Sequence, residues 1–153
     1  MTHHAIGVVF TGLFLVAAAV PAAASPSAAD ACSLLSQGEV STAVGAQVSA
    51  GTYVTPTFKA TCTWTAPGKI VTLMTESAST FDGAKAHTLA GFKLTPAGGI
   101  GDDAYYVTIG NMVSLFTKKG SAAFKTSVYS SELPIATLES MEKALAQQVA
   151  SRL

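Results

Sequence analysis

Thr61-Cys62-Thr63-Trp64-Thr65, then Ala66-Pro67-Gly68-Lys69, then residues 70–75, is the stretch on which the reading of the fold turns. The first five residues alternate strictly. Cys62 and Trp64 fall on one side and three threonines on the other, the period of a half-buried strand. Pro67 and Gly68 stand where a type II turn places proline and glycine. Residues 70–75 then read as the returning strand. In this hairpin Trp64 is a core residue beside Cys62 rather than a ligand stack.

Working outward, the same punctuation marks the other elements. Upstream, Ser36-Gln37-Gly38-Glu39 matches a capping box, with Leu35 and Val40 as its hydrophobic staple. Val40, Ala43 and Val44 have helical spacing, and Gly45 ends that helix. Residues 47–54 are β-prone. Downstream, Ser79 is the expected cap of a second helix over residues 81–89, with Asp82 in its first turn. Residues 93–103, rich in Gly and Pro, read as a loop. Residues 104–109 and 112–117 are strands joined by the hairpin signal Gly110-Asn111. Lys118-Lys119-Gly120 turns the chain into a further strand over residues 122–129. Pro134 opens a last helix, with Ile135, Leu138, Met141, Leu145 and Val149 on one face. The order α-βββ-α-βββ-α predicts an α+β domain: an antiparallel sheet of about six strands with helices packed on one or both faces.

The N-terminus reads as an export signal. Residues 5–20 carry no charge, and Pro21-Ala22-Ala23-Ala24-Ser25 follows with small residues in an A-x-A arrangement. The expected organisation is a signal peptide over 1–24, a flexible leader over 25–31 and a single domain over 32–153. The alternative is an uncleaved anchor, but a span needs about 20 apolar residues and Pro21 cuts the run short. Met1-Thr2-His3-His4 lacks the usual Lys or Arg. Lipidation at Cys32 is disfavoured by the charged Asp30 close before it. The expected location is secreted or periplasmic.

Nine Lys+Arg balance nine Asp+Glu over 153 residues, and 49% of residues are hydrophobic. A nucleic-acid binder needs a basic surplus and a disordered chain needs low hydrophobicity, so both classes are set aside. Cys32 and Cys62 are the only cysteines. In an oxidising compartment they read as one disulfide, closing a loop of about 30 residues. Two separate buried thiols are the other reading. A zinc tetrad lacks ligands.

Signals for chemistry are weak. Gly99-Ile100-Gly101-Asp102-Asp103-Ala104 formally matches a dinucleotide fingerprint, but a proline-containing loop precedes it and β-prone residues follow, so the phosphate mechanism has no context. Calcium would need more oxygen ligands than Asp102 and Asp103 supply. His87 is the one histidine beyond the signal, and no G-x-S-x-G elbow accompanies it. Carboxylate pairs among Glu39, Glu76, Asp82, Asp102 and Asp103 are conceivable for glycoside hydrolysis. Lys118, Lys119 and Lys125 suggest a small basic patch at a sheet edge. No catalytic residue, metal ligand or cofactor is assigned.

Cys32-Ser33-Leu34-Leu35-Ser36-x-x-Glu39-Val40, Ala43-x-Gly45, Cys62-x-Trp64 and Gly99-Ile100-Gly101-Asp102-Asp103-Ala104-Tyr105 together resemble a family of small exported bacterial proteins and lipoproteins of unknown function, many of them actinobacterial. The resemblance implies an α+β domain, a Cys32–Cys62 disulfide and an extracytoplasmic place; it implies no activity. The lipoprotein members carry an extra cysteine that this chain lacks, so a soluble form is expected. The leading functional expectation is a non-catalytic binding or accessory module of the cell envelope. It would act on an envelope protein or small ligand through a sheet face or the loop of Gly99, Gly101, Asp102, Asp103, Tyr105 and Tyr106. A small-ligand carrier with an apolar pocket between sheet and helix, and a small hydrolase, are the alternatives.

Overall fold

The computed structural model describes residues 29–87 and 89–153. The expected signal peptide lies outside them. Among the described residues, no helix is long and apolar enough to cross a membrane.

A single 3-10 turn, Ala31–Ser33, leads into α1 (Gln37–Val44). Both halves of the Ser36–Glu39 capping box form, and Gly45 closes the helix at φ 62. The strands are β1 (Thr52–Tyr53), β2 (Thr61–Ala66), β3 (Lys69–Ser77), β4 (Lys93–Pro96), β5 (Asp103–Ile109), β6 (Met112–Lys119) and β7 (Ala122–Tyr129); α2 (Ala78–Ala86) follows β3 and α3 (Ile135–Ala150) follows β7. All neighbours are antiparallel in one sheet of order β1-β2-β3-β7-β6-β5-β4.

The α+β architecture is as expected, with seven strands rather than about six. The additional strand is β4, inside the stretch read as a loop. It pairs Lys93↔Thr108 through Pro96↔Tyr105 at the sheet's edge. A proline is tolerated there because one side of the strand needs no ladder donor. The strand expected over 47–54 shrinks to Thr52–Tyr53. Beside it Gly51 lies against the Trp64 ring and the Cys62 sulfur, where a Cβ would come within 2.7 Å of Trp64 Nε1. The cap of α2 is Ser77 rather than Ser79, accepting from Thr80 N at 3.2 Å, and the helix ends at Ala86.

Strand alternation divides the side chains between two faces. Val71, Leu73, Val113, Leu115, Phe124 and Val128 point to the first face, beneath α3 and α1, and form the main core with Leu138, Leu145, Val149, Val40 and Val44. Trp64 is buried there, and Cys32 and Cys62 form a disulfide. The leader is not loose where it is described. Ala31 is fully buried, Thr75 Oγ1 donates to the Ala29 carbonyl at 2.8 Å, and Tyr53 donates its hydroxyl to Asp30. The second face carries a smaller cluster, Phe81 of α2 over Tyr105 and Ala123, with Phe116 stacked on Tyr105 at 5.2 Å.

Candidate functional site

Two helices cover the first face, whereas short α2 covers one end of the second. Residues of β5, β6 and β7 that point to the second face beyond α2 are therefore left open: Val107 and Ile109, Met112, Ser114 and Phe116, Lys125, Ser127 and Tyr129. Phe92, in the α2–β4 connection, stands over them. Together these residues line a trough of about 320 Å³. A second hollow of about 190 Å³ shares Phe92, Val107 and Phe116 and continues under the connection to Leu89, Leu94 and His87. Ligand sites in proteins run from roughly 300 to 1,000 Å³ and are mostly apolar with few polar groups. Ile70, Leu89, Phe92, Ile109, Met112 and Tyr129 are large apolar side chains with more than a third of their surface exposed, and all belong to this face or its rim. Contiguous exposed apolar patches are where ligand grooves and protein contacts are found in proteins generally.

The polar groups of the trough are few and specific. Ser114 and Ser127 join hydroxyls at 2.7 Å. A paired hydroxyl uses only one of the two protons, so one O–H remains to donate. Lys125 Nζ lies 5.7 Å from the Phe116 ring centre. Among the described residues no carboxylate oxygen lies within 4 Å of it, whereas Lys85, Lys118 and Lys119 pair with Asp103, Asp82 and Asp102. The expected basic patch of Lys118, Lys119 and Lys125 is thus not one patch: two of its members are neutralised and the third faces the trough.

A gap in the sheet lies behind this trough. The β6–β7 register runs from Lys119↔Ala122 to Leu115↔Thr126 and stops, although both strands continue. Glu142 of α3 fills the gap from the first face. It has no exposed surface, and its Oε1 accepts from Val128 N at 2.9 Å while Oε2 has no partner. Burial pushes its carboxyl up to about 9, with the Val128 N–H acting against the shift and Glu139 adding to it. The group is a neutral acid at pH 7. Sequence reading of α3 passed over Glu142, yet it stands four residues after Leu138 and three before Leu145, on the apolar stripe.

No known protein family, curated protein or solved structure matches this chain.

The glycine loop is knitted to the β6–β7 turn. Asp102 N donates to the Lys118 carbonyl at 2.8 Å, and Asp102 Oδ2 accepts from Gly120 N at 2.7 Å. That backbone hydrogen bond, then Lys119, hold the Asp102 carboxyl below its usual value. At Gly101, φ is 58 and a Cβ would collide with the Lys118 carbonyl oxygen. Gly101→Ala is expected to cost roughly 2–4 kcal/mol in urea unfolding; a cost under 0.5 kcal/mol would show that the loop is not pinned. Gly99, at φ 79, has open space around its Cα. Asp103 belongs to β5 and pairs with Lys85 at 2.6 Å. Tyr105 and Tyr106 diverge. Tyr105 is buried on the second face, its hydroxyl pushed up to about 12 chiefly by desolvation. Tyr106 lies on the first, donating to the Glu139 carbonyl at 3.1 Å. The loop therefore does not gather its candidate residues on one surface.

Arg152 pairs with Glu39 and lowers its carboxyl to about 2, with Ser36 adding to the effect. Glu76 is half-buried and shifted upward by desolvation. His87 is an exposed C-cap residue. Among the described residues no group of three His, Cys, Asp or Glu could hold a metal.

Proposed function

We propose that this chain is an exported binding module without catalytic activity, and that the trough on the second sheet face is its ligand surface. The observation that carries this reading is the apolar, one-sided opening of a sheet whose other face is fully packed. A disulfide between Cys32 and Cys62 accords with an oxidising compartment, as does the export segment read at the N-terminus. The resemblance to small exported bacterial proteins points the same way. Of the two binding readings, the hollow between the α2–β4 connection and the sheet favours a small apolar ligand over a flat protein contact.

The test is binding of an uncharged naphthylamine dye, followed by its fluorescence. The mature protein is expected to bind it at micromolar concentrations. Phe92→Ser, which removes the overhanging ring from a 37% exposed position, weakens binding at least fivefold and leaves the melting temperature within a few degrees. Absence of dye binding removes the reading.

A further inference from the structure

The trough is apolar along its length but has one polar end, and that end is cationic. Lys125 and Ser127 are two residues apart on β7 and share a face, so they stand about 7 Å apart. Ser114 sits opposite Ser127. This end offers an ammonium without a carboxylate partner within 4 Å among the described residues and a hydroxyl pair with a spare proton. From there the floor crosses β6 at Phe116 and β5 at Val107, and ends at Leu94 on β4. Three interstrand steps make about 14 Å. At about 1.2 Å per extended bond, that is the reach of a chain of about twelve bonds.

We propose that the trough binds a free long-chain carboxylate of about twelve carbons, its head on Lys125 and the Ser114–Ser127 pair and its tail running under Phe92 toward Leu89 and Leu94. This rests on the binding-module reading above and names the ligand class for it. Charge complementarity selects the acid. An ammonium beside an aromatic ring attracts an anion, and the surrounding apolar walls strengthen that pairing by excluding water. Glu76 works against it. Its strand partner Ala123 is two residues from Lys125, and its charge interacts with that lysine.

Titrations with dodecanoate and 1-dodecanol at pH 7.5 test this. The acid is expected to bind about tenfold tighter than the alcohol. Lys125→Gln removes that preference and leaves the alcohol unchanged, whereas Glu76→Gln enlarges it. Octanoate binds more weakly than dodecanoate because it leaves the far hollow empty. Equal affinity for acid and alcohol overturns the proposal, as does a preference that survives Lys125→Gln. If the uncharged dye binds but the acid does not, the carboxylate assignment falls and the module reading stands; if neither binds, both fall. Self-association through this face, or binding only to anionic phospholipid vesicles, also overturns it.

Discussion

Replacing Glu142 with glutamine is expected to remove most of a steep loss of stability between pH 5 and pH 8. The folded protein holds this carboxyl protonated up to about pH 9, while the unfolded chain ionises it near 4.5. Between those values the folded state binds the extra proton. Stability is therefore full below about 4.5 and declines as pH rises, by about 1.4 kcal/mol per unit. By pH 7 the decline amounts to roughly 3 kcal/mol, a large part of the 5–15 kcal/mol that holds a small domain together. Glutamine keeps an oxygen for Val128 N–H and carries no charge, so Glu142→Gln should be the more stable protein at pH 8 by a few kcal/mol and nearly equal at pH 4.5. Glu142→Lys leaves a cation in the same sealed gap and should unfold the domain at neutral pH. Glu39 acts in the opposite sense. Its carboxyl is held down at about 2, so its contribution is present above 4.5 and fades as pH falls toward 2. The two opposed slopes place maximum stability near pH 4–5. Urea unfolding of both proteins from pH 4 to pH 8 decides it: parallel curves for wild type and Glu142→Gln would sink the assignment.

Loss of the disulfide is the second large effect. Cys32 and Cys62 are separated by 30 residues, and closing a loop of that size restricts the unfolded chain by about 3–4 kcal/mol. The bond also ties the N-terminal turn to β2; just before that strand Ala31 N donates to Lys59 O at 2.9 Å, and Ala31 is sealed in the core. Cys62 lies against Gly51 and beside Trp64, so its removal opens a space in a closely packed part of the core. The Cys32→Ser/Cys62→Ser double variant is expected to melt at least 10 °C below the oxidised protein, and reductant should lower wild type by a similar amount. A reduced protein that melts with the oxidised one would show that the core alone suffices.

Much of the fold follows from local rules, and particular residues show which. Ser36 and Glu39 satisfy each other's neighbouring backbone donors within one turn, so a four-residue pattern is enough to place the start of α1. Pro67-Gly68 and Gly110-Asn111 set hairpins whose registers, Ala66↔Lys69 and Ile109↔Met112, follow directly from the turn. Ser77 and Ser79 illustrate the limit of such rules. Both can cap a helix, their hydroxyls touch at 2.8 Å, and the earlier one wins because β3 runs straight into α2 with no loop between. Strand β4 was hidden for a related reason: Lys93-Leu94-Thr95-Pro96 has too few residues to show a period, and only the neighbouring edge of β5 makes it a strand.

The chain by itself determined the things that depend on neighbours in sequence: caps, turns, strand alternation, the apolar stripe of α3 and the single pairing open to two cysteines. Tertiary structure decided what depends on which surfaces remain uncovered. Nothing local distinguishes Lys125 from Lys118 and Lys119, yet folding gives Asp82 and Asp102 to the latter two and turns Lys125 toward the trough. The apolar stripe of α3 includes Glu142, but only its seat in the gap between β6 and β7 makes it a neutral acid. The open face exists because α2 has nine residues and cannot span the sheet that α1 and α3 cover on the other side. Burial and charge pairing are properties of surfaces meeting in space, and no window along the chain contains them.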